Sequence, residues 1–530
     1  MSSISKQTVG IYTYLYESHS FRDEQGRPRN KKIKIGKIDP HTGRTMYTEQ
    51  YIERMRLAGT PVFVSPFDRR DDLEGQIGRA LDSLKDYGVF YFLKNIAETI
   101  GILRVLQETI PSYWMEISML SFYILAGNRP LMYMQDWLEE NEGYPVGNMS
   151  SPRISELLAA LCQKERNAFF MKWIEGNVSN EYMALDITSI STYSTMMKES
   201  EWGYNRDGEH LPQINLCLLF GEESGLPVYQ TSYSGSLRDV STLRTTIKEM
   251  KAVCSKKRLV LVMDKGFYSE KNVKTLLTDY SDSEFLIAIP FTTGIAQNLV
   301  KEERKTIECA ANIIKTSSSP IRGVSRQIEV GEYSLFAHIF YNPEKELSER
   351  NDLYEHINRL KEMIEVGKVP ANHKKETEKY LTTERKGKPE ITIKQEVIEK
   401  ELYTAGWMVV IGNGKRSAQA AHDIYRKKDV VEKAFMKYKN MLGMNRLRVH
   451  NDERARNKNL VAFISLVLVS YIHNVMKQQD LYRKMTMEKM IITMSKMKII
   501  TINGHQILRP LTKAQQDILK AFSIPIPHVG

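Results

Sequence analysis

Cysteine is scarce in this chain of 530 residues, and the four that occur, Cys162, Cys217, Cys254 and Cys309, never form a C-x-x-C pair. Most structural zinc sites begin with that spacing, so no zinc module is read. His210, His422 and His450 lie in polar segments, and no two of them have metal-ligand spacing. Long apolar runs are missing too. The longest, "LVAFISLVLVSYI" at 460–472, is too short to span a bilayer and reads as a buried helix. The N-terminus has no basic stretch followed by an apolar one, so no secretory signal is expected. "GNGKR" (412–416) lacks the frame of a phosphate-binding loop and reads as a strand-to-helix turn. There is no internal repeat. Acids are in deficit: 64 Asp and Glu face 75 Lys and Arg, a net charge of +11. The expectation is a reduced, soluble, cytoplasmic protein without a membrane partner. The basic balance favours a polyanion, nucleic acid before membrane.

What is present is globular: 42% of residues are hydrophobic and 26% charged. The length suggests three or four domains. Residues 8–15 and 31–38 alternate as strands, joined by the polar hairpin loop "ESHSFRDEQGRPRN". From Arg22 to Arg44 there are eight basic residues against three acids. Arg29, Lys31, Lys32 and Lys34 therefore form a candidate wing for DNA phosphates. Residues 74–140 and 151–174 carry helical periodicity. The pattern then changes. "YMALDITSIS", "PQINLCLLF", "LPVYQTSYS", "RLVLVMDKG" and "FLIAIP" are strands, with helices at 241–253 and 269–280, which makes a mixed α/β sheet. Residues 291–412 break that rhythm and read as an insertion ending in the strand "GWMVVIG".

The helix "YRKKDVVEKAFMKYKN" (425–440) follows, with six basic residues and two acids. On a wheel at about 100° per residue, Tyr425, Lys428, Glu432 and Lys439 share one stripe. Ile424, Val431, Ala434, Phe435 and Tyr438 form an apolar arc beside it. Arg426, Asp429, Lys433, Lys437 and Asn440 point to water. By itself the stripe fits a surface helix with one Lys–Glu pair.

Two other carboxylates stand out. Asp186 lies inside the apolar strand "MALDIT", and Asp264 ends the apolar strand "LVLVMDKG". A carboxylate in a buried strand is costly unless it is paired or bound to a cation. Three acids from separate elements could hold hard divalent ions. Two such ions about 4 Å apart can activate a nucleophile and steady the leaving oxygen of a phosphodiester. Asp239 in "SLRDVST" could assist, although capping the helix after it is the simpler role. Trp407 is expected in the core, with base stacking as the alternative.

These residues resemble the insertion-sequence transposases of the DDE class that carry Y-x2-R-x3-E-x6-K on the helix of the last acid. Tyr425, Lys428, Glu432 and Lys439 match that spacing, with Lys in place of Arg. Lys cannot grip a phosphate bidentately as Arg does. "LDITSIS", "VMDKGFYSEKNV", "GYNRDGEHLPQINLCLLF", "YSGSLRDVSTL" and "MNRLRVHNDERARNKNLVAFISLVL" are similar to blocks of the same family. The resemblance implies an α/β fold: an RNase H-like catalytic core with a mixed sheet, interrupted by a β-rich insertion and preceded by a β-hairpin and helical DNA-binding region. It divides the chain into a basic hairpin (1–60), a helical DNA-binding region (61–178), core (179–290), insertion (291–412), core with the Glu helix (413–480) and a C-terminal region suited to dimerisation (481–530).

The same resemblance implies Asp186, Asp264 and Glu432 as catalytic metal ligands for two Mg²⁺ ions, with Mn²⁺ as a substitute. Tyr425, Lys428 and Lys439 would lie against the DNA strand. The implied activity is binding of terminal inverted repeats, metal-dependent strand cleavage and strand transfer by cut-and-paste, with hairpin ends as one route. The partners would be transposon-end and target double-stranded DNA, handled by a homodimer or larger assembly on the bacterial nucleoid. A catalytically silent DNA-binding regulator and an RNase H-like nuclease are the alternatives.

Overall fold

The computed structural model describes residues 2–10, 12–40, 43–60, 62, 83–127, 129–177, 181–253, 260–316, 320–384, 390–502 and 505–528. The chain divides into two compact units. One comprises residues 1–85, 498–510 and 528–530, the other residues 86–497 and 511–527.

In the first unit, β1 (Ser2–Val9), β2 (Tyr12–Arg22), β3 (Pro28–Ile38) and β4 (Thr45–Tyr47) form an antiparallel sheet in that order. Most of the loop expected at 17–30 is strand. The turn proper is Asp23–Arg27, where the Asp23 carboxylate accepts from the backbone of Gln25 and Arg27 and Gly26 sits at φ +73°. The strands escape the period-two reading because β3 is exposed over most of its length and needs no apolar face there. A small core of Leu15, Ile35 and Tyr51 joins the sheet to α1 (Glu49–Leu57), which Thr48 caps.

The second unit opens with helices Gly88–Thr99, Ile102–Thr109, Trp114–Gly127 and Met134–Glu140. The helical pattern expected over 74–140 is thus four helices, broken first at Gly101, whose φ is +75°; residues 74–82 lie outside the described residues. Helices Ser151–Ala160 and α2 (Gln163–Asn177) follow.

The centre is a nine-stranded mixed sheet. Its first five strands in sequence are β5 (Tyr182–Ser191), β6 (Gln213–Gly221), β7 (Pro227–Ser234), β8 (Val260–Met263) and β9 (Glu284–Ala288). β6 pairs antiparallel with β5 and with β7. β8 runs parallel to β5 on one side and to β9 on the other. Residues 258–259 of the expected β8 run lie outside the described residues. These five strands therefore lie in the order β7-β6-β5-β8-β9, a mixed sheet. Helix α3 (Asp239–Val253) connects β7 towards β8.

Residues 291–412 give the main correction. They carry at least as much helix as strand, so the segment is mixed rather than β-rich. Its strands β10 (Ile313–Ile314), β11 (Ile321–Val330), β12 (Tyr333–Tyr341) and β13 (Trp407–Gly412) extend the same sheet, through antiparallel pairing of β13 with β9. An uncovered β9 would present a row of unpaired backbone groups, and β13 covers it. The helices Pro343–Glu365, Lys374–Tyr380 and Gln395–Leu402 close around a separate small core of Ile357, Leu360, Tyr380, Leu381 and Ile398. Residues 317–319 and 385–389 of this segment lie outside the described residues.

After β13 come α4 (Ala418–Lys427), α5 (Asp429–Met436) and α6 (Asp452–Gln478). Helix α6 is long and apolar enough to cross a membrane by length and composition, but most of its apolar stretch is buried inside the protein. Leu460, Val461, Phe463, Leu466 and Val467 are at most 1% exposed. Several of its buried polar groups are partnered: Asn457 donates to the carbonyls of Leu158 and Leu161, and Ser465 to that of Ser121, whereas the Asn459 amide nitrogen and the Ser470 hydroxyl have no hydrogen-bond partner among the described residues.

Candidate active site

Parallel pairing brings the two aspartates together. Leu185 on β5 lies beside Met263 on β8, so Asp186 and Asp264 are the next residues on neighbouring strands. Asp186 accepts from the Ile187 backbone at 2.8 Å. Asp264 sits just past the end of β8, where it accepts from the Lys265 backbone at 2.8 Å and starts a short turn. Burial, with the charge of Asp264, pushes the Asp186 carboxyl up to about 6, while Lys428 and Arg206 pull it down.

The helix expected over 425–440 is not continuous. Helix α4 ends at Lys427, Lys428 occupies the turn, α5 runs to Met436, and residues Lys437–Met441 form a π turn. The apolar arc holds: Ile424, Val431, Ala434, Phe435 and Tyr438 are all buried. Two placements change. Lys437, expected in water, is partly covered, and burial with neighbouring Lys433 lowers its pKa to about 8. Lys439 is carried by the π turn to Asp207, with which it pairs at 2.7 Å.

Tyr425 is buried and donates a long hydrogen bond, 3.4 Å, to Asp264. Burial and the charge of Asp264 hold its phenol protonated far above the usual range. Lys428 is 5% exposed. Burial lowers its pKa, but Asp186, Glu432 and Asp264 outweigh that and hold it above the ordinary lysine value. Its ammonium donates to Glu432 at 2.9 Å, and the Glu432 side chain is 58% exposed. The three acids therefore share one buried cation. Asp186 and Asp264 come together, and Glu432 joins them through Lys428. Among the described residues, no three His, Cys, Asp or Glu side chains are close enough to hold one metal ion as they stand.

Arg206 lies in the block "GYNRDGEHLPQINLCLLF", whose resemblance gives that arginine no role. Arg206 donates at 2.7 Å to both carboxylate oxygens of Asp239, which begins α3. A Cβ on Gly266, two residues past Asp264, would lie 2.9 Å from that same carboxylate. Asp239 is thus packed under the turn beside Asp264, with Arg206 as its partner. The 192–212 loop is pinned through Ser191, Asn205, Glu209 and Arg446. It nevertheless holds Tyr193, Trp202 and Tyr204 outward, 74%, 67% and 83% exposed. A signal was available: three aromatics in a polar loop directly after the strand of Asp186.

The remaining candidates are placed as follows. Trp407 is 4% exposed and packs against Tyr341 with ring centroids 5.0 Å apart, the expected core role. In "GNGKR", Asn413 bonds the backbone of Ser283 and Phe285, and Arg416 pairs with Glu284, so the segment is a stapled strand-to-helix turn. In the first unit, Arg29, Lys31, Lys32 and Lys34 are all exposed on β3. Arg29 pairs with Asp23 at 3.0 Å, and Lys34 lies 4.1 Å from the Tyr14 ring centroid.

Residues 180–468, more than half of the chain, match the family described as transposase DDE domain. No curated protein matches the sequence. A cryo-EM structure of piggyBac transposase in a synaptic complex with hairpin DNA is similar over 65% of this chain and 58% of that one, at 11% identity and a TM-score of 0.34. That likeness is too low to bear on function, and the alignment spans less than two thirds of the solved chain.

Proposed function

The chain belongs to the transposase DDE domain family, and from that premise we propose that it is an insertion-sequence DNA transposase. It binds terminal inverted repeats, cleaves the strand ends and joins the freed 3′-OH to target DNA by cut-and-paste, with hairpin ends as one route. The observation that carries this reading is the pair of adjacent aspartates and one glutamate whose charges all act on the buried Lys428.

The donor set fits hard divalent ions, since it offers three carboxylates and no sulfur. Asp186, Asp264 and Glu432 would hold Mg²⁺, or Mn²⁺ in its place. When bound, the metal would polarise the phosphodiester and lower the pKa of the attacking hydroxyl. Tyr425 keeps its proton and can donate to a phosphate oxygen. Lys428 supplies a point charge where the family motif has Arg, neutralising phosphate without fixing its orientation. Lys439, released from Asp207, would meet the DNA backbone. The rings of Tyr193, Trp202 and Tyr204 offer stacking faces for bases of the opened strand. On β3, Arg29, Lys31, Lys32 and Lys34 would hold duplex phosphates. The C-terminal region would support a homodimer or larger assembly, because two ends must be held at once, on the nucleoid of a bacterial cytoplasm.

Glu432→Gln tests the reading. In a nicking assay on an end-containing duplex with Mg²⁺, this variant should lose strand cleavage and keep end binding. Full cleavage by the variant would sink the assignment. Binding without cleavage by the unaltered protein would favour the silent regulator.

A further inference from the structure

Away from the acids, the second unit holds a cleft of about 510 Å³ between helices Trp114–Gly127 and Ser151–Ala160, the 442–450 segment and the first turns of α6. None of Asp186, Asp264 or Glu432 lines it. Its charged lining is of one sign: Arg129, Arg448, Arg454 and Lys458, with His450 and no Asp or Glu. Arg454 donates to the Ser155 carbonyl at 3.1 Å, and Lys458 donates to the Leu447 carbonyl. Among the described residues, none of these four cations has an ion-pair partner.

Two independent features show that the cluster is held at some expense. Lys458 is 7% exposed, and burial, with the charge of Arg448, lowers its pKa to about 8. Arg448 has φ 52°, in the left-handed region that an L side chain with a Cβ seldom occupies. Strained backbone of this kind gathers at sites where a side chain must be aimed. An anion in the cleft would compensate the cations that nothing else compensates. The volume exceeds a bare phosphate, and apolar walls such as Leu158 and Met444 can take the uncharged remainder of a larger ligand.

We propose that this cleft is a phosphate-binding site, which takes either a backbone phosphate of bound DNA or a free phosphate compound. Only the DNA source rests on the transposase reading. Arg448→Gly removes one charge where glycine suits the backbone, and Arg454→Gln removes another at a partly exposed position. Two titrations on the full chain decide: calorimetry with inorganic pyrophosphate, and duplex binding against salt concentration by fluorescence anisotropy. If DNA is the source, the log–log salt slope should become shallower by about 0.9 for each phosphate no longer neutralised. If a free phosphate compound is the source, pyrophosphate affinity should fall tenfold or more while the DNA slope stays unchanged. An unaltered slope together with unaltered pyrophosphate binding overturns the proposal. If the parent protein binds no DNA, the transposase reading fails, and the pyrophosphate titration still decides the cleft.

Discussion

Lys428 is the residue on which the site turns, and it shows what a motif match does and does not convey. Matching the spacing places a cation near Glu432. It does not reveal that the cation is buried and balances two aspartates as well. With Lys428→Met, those carboxylates lose their compensation. At pH 8 without divalent metal, the variant should be less stable by about 1–3 kcal/mol, the cost of a buried charge left unsatisfied. Urea unfolding measures this. Mg²⁺ should stabilise the variant more than the parent, because no ammonium competes for the carboxylates; an equal response in both would speak against metal binding there. Glu222 carries a second prediction. Burial pushes its carboxyl up to about 8, both of its oxygens lack a partner among the described residues, and Glu181 and Glu223 add repulsion. The unfolded chain ionises Glu222 near the ordinary value, while the folded chain keeps the proton until about pH 8. Folded protein therefore binds more protons across that window, and stability falls as pH rises from about 4.5 to 8. Glu222→Gln should remove this slope and raise the melting temperature at pH 8, leaving it nearly unchanged at pH 4.5.

At the scale of elements, sequence patterns worked where burial forces a pattern. β5, β8 and β9 are largely covered on both faces; β8 and most of β9 read as apolar runs, and β5 opens with one that Asp186 interrupts. Asp186 and Asp264 were visible because a carboxylate in such a run needs a reason. The break at Lys428 and the π turn at 437–441 were not visible, because residues on both sides keep helical propensity and only packing sets the offset. The π turn is why the wheel put Lys437 in water and Lys439 on the stripe. Register between β5 and β8, which makes the aspartate pair, is a long-range fact that no window of sequence contains. The 192–212 loop was legible only in part: its composition marks a connection, but pinning by Arg206, Asn205 and Glu209 depends on distant partners. Because Trp202 and Tyr204 are exposed, Trp202→Ala and Tyr204→Ala should each change stability by no more than about 0.5 kcal/mol. Each should weaken binding of end DNA with an unpaired flank by about 1–3 kcal/mol for the stacked base it no longer holds. Fluorescence anisotropy on flanked and blunt duplexes makes the comparison, and an equal loss on both would point away from stacking.

For the whole molecule, the net charge of +11 is a sum, and its distribution matters more than its size. In the first unit, β3 presents Arg29, Lys31, Lys32 and Lys34 outward from a sheet with a core of only a few residues. A sheet so lightly packed gains little from these side chains as packing, so their cost of crowding like charges needs another compensation. In the second unit, cations near the acids are already spoken for: Lys428 by Glu432, Lys439 by Asp207, Arg206 by Asp239. On β3 a polyanion would thus find Lys31, Lys32 and Lys34 without a carboxylate partner among the described residues, with Arg29 held by Asp23; near the acids it would find paired charge, where pairs must open before phosphate is bound. The two should respond differently to salt. Replacing Lys31, Lys32 and Lys34 by Gln should flatten the log–log salt dependence of duplex affinity by about 0.9 for each phosphate left without its lysine, with cleavage at saturating DNA retained. Asp207→Asn, which frees Lys439, should instead raise affinity for end DNA and change that slope by no more than the about 0.9 expected of a single phosphate. If the β3 lysines leave the slope untouched, duplex binding belongs to the second unit alone, and the basic sheet serves another partner.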